Sequence, residues 1–436
     1  MSNAPKVDKA LSAFVDPRGR VDIKFGLDRI KTALAALGDP QDQIPPAIHI
    51  AGTNGKGSTA AFCRAIAEAA GLKAHIFSSP HLIRVNERIR IAGHLVSDEA
   101  LSRALEEIAK AGPDLTYFEA LTAAAYLLFS RTPADVSIIE TGAGGLLDST
   151  NVMRRPAATA ISAVSRDHEA LFGTRDIAEI ARTKAGIFRT GVPAFIAEQD
   201  ETPFDALIKA AGSAGAVLKA DGMGWRSFWD EDDRFAFVSD VHDIRVDALG
   251  LPGPHQASNA GLACAAMESL ALPKVNAEAM AKGLSRAKWP ARLQTLADGP
   301  LTRLANAEII VDGAHNPAAA TALAASIARS RRDAKTALVI AMQANKDAGG
   351  IAAPLAGVVD DVFACPLPDS DQEGGRAAHP HQVAGAFAAR DAHAMAAANL
   401  VDAVKLANAA GAERIYICGS LYLAGAALGA NGESID

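Results

Sequence analysis

Short apolar runs alternate with longer amphipathic stretches along almost the whole chain. The runs at 47–51, 73–77, 135–140, 157–164 and 193–197 read as buried strands. Stretches 58–70, 101–111 and 119–129 carry the periodicity of helices. Repeated strand–helix units with short connections predict a largely parallel, doubly wound α/β sheet. Between 216 and 249 the pattern changes, and the runs at 234–238 and 243–246 have no helix between them. That segment contains Trp225-Arg-Ser-Phe-Trp-Asp-Glu-Asp-Asp and predicts a small antiparallel sheet appended to the first domain. Helices follow at 256–270 and 276–287.

A second α/β unit begins near Gly299, with strands at 307–311, 336–341, 360–365 and 414–418. Helices are expected between them, at 317–330 and 400–410, and the polar segment 369–375 reads as a loop. The predicted domains are 1–296 and a smaller, Rossmann-like 297–436. The length, 436 residues, agrees with a chain of two or three domains at about 150 residues each.

Composition narrows the class of protein. Apolar residues make up 49% and charged residues 21%, as in a soluble globular chain. The net charge of −7 argues against a nucleic-acid or acidic-membrane partner, though not against a local anion site. The longest membrane-like run, 120–130, is closed by Glu119 and Arg131 and is too short to span a bilayer. No signal peptide is expected. Cys63, Cys264, Cys365 and Cys418 are far apart and read as buried thiols of a reducing compartment, so a cytoplasmic location is expected.

The sharpest chemical signal is Ala51-Gly-Thr-Asn-Gly-Lys-Gly-Ser-Thr59, between a strand and a helix. Gly52, Gly55 and Gly57 let backbone N–H groups converge on an anion, with Thr53 and Asn54 completing the loop. Lys56 supplies a compact positive charge for phosphates, and Ser58 and Thr59 present hydroxyls, Ser58 toward Mg2+. Gly57 separates Lys56 from Ser58, so the spacing is not the common GxxxxGK[ST] form. Taken alone, the loop points to a nucleoside triphosphate, ATP first. A plain glycine-rich turn with one lysine is the competing reading.

Glu140 ends a strand before a glycine turn, where ligands gather in open α/β sheets. A helix-capping or solvated carboxylate is the plainer reading. Asp167-His168 also follows a strand, and a lone histidine is more often structural. Lys184, near a helix end, reads on sequence alone as a solvated lysine.

The GTNGKGS form resembles the Mur ligase superfamily, and specifically its folate branch. Further segments follow in the order of folylpolyglutamate synthases and bifunctional dihydrofolate synthases. They are Ser79-Pro-His-Leu, Asn86-Glu-Arg-Ile, Phe118-Glu-Ala-Leu-Thr, Glu140-Thr-Gly-Ala-Gly-Gly, Asp148-Ser-Thr-Asn and Asp167-His168. Lys184-Ala-Gly-Ile, His255-Gln-Ala-Ser-Asn259, Trp289-Pro-Ala-Arg-Leu-Gln, Asp312-Gly-Ala-His-Asn-Pro and Gly419-Ser-Leu-Tyr complete the set, which spans 52–422.

The resemblance implies an ATP-dependent ligase that adds L-glutamate to dihydropteroate and to reduced folates through an acyl phosphate, with release of ADP and phosphate. It implies two Mg2+ sites: Ser58 and Glu140 for the first, and His168 for the second. It further implies a carbamylated Lys184 supporting the second metal. Asn259 is expected at adenine and Arg292 at the ATP phosphates. Asp312 and His315 are expected to close on the nucleotide, their plainer reading being an Asx-type turn and a surface histidine. Lys346-Asp347 is a further candidate for the closed cleft, with a solvated turn the equal alternative. For the folate and glutamate side the resemblance implies Ser79, His81, Arg88, Phe118, Glu119 and Asp148, with Ser420 and Tyr422 near glutamate. Phe118 can stack on a flat ring or simply serve the helix core. A monomer is the family expectation.

The chain departs from the family pattern at three points. Leu146 stands where Arg is usual, Ser149 replaces Ala, and Thr183 stands where Glu commonly precedes the carbamylated lysine. Competing functions are a muramyl-peptide ligase, which the Ser79 and Phe118 segments disfavour, and a non-ligase nucleotide switch. The second acidic, His and Lys set argues against the switch.

Overall fold

The computed structural model describes residues 4–15, 26–112, 114–167, 173–330, 334–368 and 376–435. The chain divides into two compact units. The first comprises 1–80, 86–251 and 256–288, and the second 81–85, 252–255 and 289–436.

The first unit is built on β1 (Ala47–Ala51), β2 (Ala74–Phe77), β3 (Ile89–Ile91), β4 (His94–Leu95), β5 (Val136–Glu140) and β6 (Ala158–Ile161). It continues with β7 (Pro193–Ile196), β8 (Val217–Asp221), β9 (Gly224–Trp229), β10 (Phe235–Ser239) and β11 (Asp243–Val246). Their order in one sheet is β11-β10-β9-β8-β7-β6-β1-β5-β2-β3-β4. The central strands, β8 to β2, are parallel, and every residue of β1, β2, β5 and β6 is buried, as continuous apolar runs require in a sheet covered on both faces. The antiparallel strands expected near 216–249 are joined to this sheet: β8 pairs in parallel with β7, and β9–β11 extend the edge.

The second unit holds β12 (Gln294–Thr295), β13 (Glu308–Val311), β14 (Thr336–Ile340), β15 (Asp361–Ala364), β16 (His393–Ala396) and β17 (Arg414–Cys418), in the order β12-β13-β17-β14-β15-β16. All pairs are parallel except β12–β13. Side chains alternate across this sheet with a period of two. Ala337, Val339, Ile415 and Ile417 join one core with the helices Leu400–Ala409 and Leu421–Asn431. Leu338, Ile340, Tyr416 and Cys418 join the other, under Pro317–Ser330, Ala348–Leu355 and Pro380–Ala388.

All four cysteines are free and buried, and burial pushes the Cys63, Cys264, Cys365 and Cys418 thiols up, away from reactive thiolate. Among the described residues no helix is long and apolar enough to cross a membrane. The expected loop 369–375 lies outside the described residues.

Candidate active site

The glycine loop leaves the C-terminal end of β1, where central parallel strands open their ligand-binding edge. Its helix starts at Lys56, two residues before the sequence-based expectation. The reason is Gly55, which takes a left-handed φ of +93° and acts as the N-cap. A Cβ on Gly55 would lie 2.1 Å from Asn259 Oδ1, and one on Gly52 would lie 2.0 Å from Ser162 Oγ. Both positions therefore demand glycine for close approach as well as for conformation.

The Thr53 and Asn54 backbone N–H groups donate to the Ala163 carbonyl at 2.9 and 3.1 Å. Thr53 Oγ1 donates to the Ser165 carbonyl at 2.9 Å, and Asn54 Nδ2 donates to Ser165 Oγ at 3.1 Å. These two residues tie the loop to the exit of β6. The first N–H groups of the helix Lys56–Ala69 have no intrahelical acceptor and are left to meet an anion. Lys56 Nζ curls back over the loop and donates to the Gly52 and Thr53 carbonyls at 3.2 and 3.3 Å. Gly57, Ser58 and Thr59 are buried, and the Thr59 hydroxyl has no hydrogen-bond partner among the described residues.

Gln256 is a site neighbour that sequence reasoning missed. Its amide donates to Ser58 Oγ at 3.4 Å and its Oε1 accepts from Asn259 Nδ2 at 3.0 Å. Asn259 thus packs against the loop at Gly55. The only sequence signal for Gln256 was its place beside Asn259 in the His255-Gln-Ala-Ser-Asn259 segment.

Lys184 does not reach solvent as a lone sequence reading suggests. It closes the helix Ile177–Lys184, is 2% exposed, and its Nζ donates to the Gly52 carbonyl at 2.9 Å. Burial first, then the charge of Lys56, pushes its amine down to about 7, against the opposing pull of Asp167 and Asp148. Asp167 is buried, and His168 lies outside the described residues.

The glycine-rich segment after β5 is clamped onto the Lys184 turn. Leu146 N–H donates to the Thr183 carbonyl at 2.8 Å, and a Cβ on Gly145 would lie 2.5 Å from the Lys184 carbonyl. The Leu146 side chain, standing in place of the usual Arg, is half exposed. Glu140, at the end of β5, is buried and pairs in register with Ile50 of β1. Asp148 is buried and accepts from Ala143 N at 2.8 Å, Thr150 N at 3.0 Å and Thr150 Oγ1 at 2.5 Å. Burial raises its carboxyl above the usual range while these donors oppose the shift.

Phe118 lies in the first turn of the helix Tyr117–Arg131 and is tilted on Phe77 at 5.8 Å. A Cβ on Gly142 would meet its ring at 2.4 Å, so Phe118 borders the segment that follows Glu140. Arg88 is buried, its guanidinium 5.7 Å from the Tyr117 ring centroid. Glu119 forms a capping box with Thr116 and an ion pair with Arg29 at 2.8 Å. Ser79 precedes Pro80 across a cis peptide bond.

The second unit assembles its own set. Asp312 accepts from Leu293 N at 2.9 Å and Ala314 N at 2.8 Å, and the ring of His315 donates from Nδ1 to the Gly313 carbonyl at 2.8 Å. Arg292 Nη1 donates to the Ala291 carbonyl at 2.9 Å and lies where a Cβ on Gly313 would stand. His255, given no role by the sequence, joins this set: burial lowers its pKa while Asp312 pulls upward and Arg292 downward. Ser420 caps the helix Leu421–Asn431 by accepting from Tyr422 N at 3.1 Å. A Cβ on Gly425 of that helix would lie 1.9 Å from the Leu82 carbonyl, so the His81 and Tyr422 segments pack together. Asp347 caps Ala348–Leu355, which favours its plainer reading, with Lys346 in the preceding turn.

Among the described residues no group of three His, Cys, Asp or Glu could hold a metal by itself. That suits Mg2+, which is commonly held by one or two protein oxygens together with phosphate and water. Ser58 and Glu140 are hard-oxygen donors of this kind, and both are buried.

Residues 50–267 match the Mur ligase middle domain, and 300–430 match the dihydrofolate synthetase C-terminal domain. The chain is 36% identical over 364 residues to the Escherichia coli dihydrofolate synthase/folylpolyglutamate synthase, covering 83% of this chain and 81% of that one. It is also 36% identical to a probable bifunctional folylpolyglutamate synthase/dihydropteroate synthase of Halobacterium salinarum, covering 96% of this chain but spanning about half, 51%, of that protein. Escherichia coli FolC in complex with DHPP and ADP superposes with a TM-score of 0.86 at 30% identity, covering 97% of each chain. A bifunctional folylpolyglutamate synthase/dihydrofolate synthase solved with Mn, AMPPNP and L-glutamate gives a TM-score of 0.83 at 30% identity, covering 98% of this chain and 99% of that one. The chain belongs to the dihydrofolate synthase/folylpolyglutamate synthase family of ATP-dependent C–N ligases.

Proposed function

We propose that this enzyme adds L-glutamate to dihydropteroate and extends reduced folates, each time through an acyl phosphate. A phosphate loop alone would fit any ATPase. The observation that carries the reading is Lys184, a buried amine held 2.9 Å from the phosphate-loop carbonyl of Gly52. That amine, held at the phosphate loop and facing the charge of Asp167, suits transfer to an acid substrate. The relatives solved with DHPP and ADP, and with AMPPNP and L-glutamate, support the same reading.

A carboxylate is a poor electrophile. In the proposed reaction its oxygen attacks the γ-phosphorus of ATP and ADP leaves. The glutamate amine then attacks the acyl carbon, loses a proton, and phosphate departs. Lys56 and the first N–H groups of its helix bind the phosphates and stabilise the charge that builds up during transfer. Phe118 offers a flat face to the pteridine or benzoyl ring. Residues 1–296 are assigned to ATP and the folate, and 297–436 to glutamate, with Ser420 and Tyr422 beside it. Mg2+, when bound, offsets phosphate charge, and Ser58 and Glu140 would hold it, with His168 and Lys184 at a second site.

Lys184 is assigned a carbamate. An amine lowered to about 7 is substantially neutral at physiological pH, and only the neutral amine adds to CO2. Addition of the neutral amine to CO2 forms the N–C bond, releases one proton and leaves an anion able to face a metal. The protein is assigned as a monomer.

Steady-state ADP release with dihydropteroate, and with reduced mono- and diglutamyl folates, tests the reading. Glutamate-dependent release with dihydropteroate is expected. Absence of such release with every folate, or release driven by a muramyl-peptide substrate instead, would sink it.

A further inference from the structure

His49 stands on β1, three residues before Gly52, and is 1% exposed. It is not among the phosphate-loop, metal or folate residues discussed above. Its Nε2 lies 2.9 Å from Thr150 Oγ1, and Thr150 Oγ1 lies 2.5 Å from Asp148 Oδ1. Asp148 Oδ2 in turn accepts from Ala143 N at 2.8 Å. The Thr150 carbonyl is fixed from another side by Tyr126 Oη at 2.7 Å.

The direction of this chain follows from proton counting. A hydroxyl has one hydrogen to give. Burial raises the Asp148 carboxyl, but it accepts from the Ala143 and Thr150 N–H groups and from the Thr150 hydroxyl, donors that favour its ionised form. Thr150 therefore spends its hydrogen on Asp148 and can only accept from His49. His49 must then carry its proton on Nε2. Burial, aided by the positive Arg189, holds the ring neutral by lowering its pKa to about 3.

We infer that His49 is a positioning residue: through Thr150 and Asp148, its Nε2–H fixes the glycine-rich segment 142–147 against the Lys184 turn. The segment's far end is the Leu146–Thr183 hydrogen bond, and its near end carries Gly142 against the Phe118 ring. The β1 strand thus sets both the phosphate loop, by covalent continuity, and the segment that borders the folate ring, by this relay. The inference rests on the proposed folate reading for its kinetic consequence but not for its geometry.

Two measurements test it. Long-range 1H–15N correlation on histidine-labelled protein should show a neutral Nε2–H tautomer for His49, identified by its loss in His49→Gln. A neutral Nδ1–H tautomer would overturn the relay. In kinetics, His49→Leu removes the donor and should raise KM for dihydropteroate about tenfold, with KM for ATP within about twofold of wild type. His49→Gln keeps an N–H donor and should restore most of the loss. Parallel losses in kcat and in both KM values, or no rescue by Gln, would mark His49 as merely structural. A wild-type enzyme inactive with every folate would sink the proposed function instead, and the tautomer would then decide the relay alone.

Discussion

Lys184 Nζ donates to the Gly52 carbonyl at 2.9 Å, joining the end of one helix to the first residue of the phosphate loop. The amine sits at about 7 in the folded chain against an ordinary 10.5. Below pH 7 the folded state must bury a cation that the unfolded chain solvates freely, and this destabilises it most. Between about 7 and 10.5 the unfolded chain holds more protons at this site, so stability rises with pH across that window. Lys184→Met should remove this component, flattening the pH dependence of urea midpoints between pH 7 and 10, and should abolish ligation. Intact-mass analysis of wild type under CO2 should show a carbamate on Lys184; an unmodified lysine in enzyme that is fully active without CO2 would count against it.

Gly55→Ala tests how closely the phosphate loop is built. The substitution meets both a φ of +93° and Asn259 Oδ1 at 2.1 Å. A cost of about 1–3 kcal/mol in stability is expected. ATP affinity should fall with it, because Asn259 must move and the helix N-terminus tilts. Adding Asn259→Ala should recover only part of the stability, since it opens the space but leaves the strained φ. Calorimetric unfolding and nucleotide titration of the single and double variants measure both.

Lys56→Ala should leave the fold intact, since the bonds of Lys56 Nζ to the Gly52 and Thr53 carbonyls are long, and should abolish phosphoryl transfer. Glu140→Gln keeps size and loses charge. Its expected signature is a Mg2+ midpoint raised by about tenfold or more, with an unchanged melting temperature. Normal Mg2+-dependent turnover in this variant would remove Glu140 from the metal site.

Much of this was legible in the sequence because the signals were local. Strand, glycines, lysine and helix follow one another at 47–69, so the phosphate loop could be read directly, and only the start of the helix shifted, because the αL conformation of Gly55 cannot be read from composition. The burial of Lys184 was not legible. It depends on Gly52, 132 positions away, and a lysine near a helix end carries no mark of the carbonyl that will receive it. The same holds for Gln256 against Ser58 and for His49 against Thr150. Each is a contact between elements distant in the chain, where the residue type is compatible with an ordinary buried or exposed role. The strand His393–Ala396 was missed for a different reason: it lies at the sheet edge with exposed and half-buried residues, so it lacks the apolar run that marked its neighbours.

Glu119 shows where family resemblance and local physics pull apart. The resemblance places it near the folate, yet its carboxylate accepts from Thr116 N at 2.8 Å and pairs with Arg29. A carboxylate so engaged is 4% exposed in its side chain and has little capacity left for a ligand. Glu119→Ala should lose the cap and the pair together, at about 1–3 kcal/mol. Glu119→Gln can still accept the Thr116 N–H, as a capping box with Gln does, and should lose only the charged part of the Arg29 contact. If the role is structural, both variants should lower the urea midpoint in that order while KM for dihydropteroate stays within about twofold of wild type. If Glu119→Gln instead leaves stability unchanged and raises that KM by about tenfold, the carboxylate is a substrate ligand and the capping box is incidental to its function.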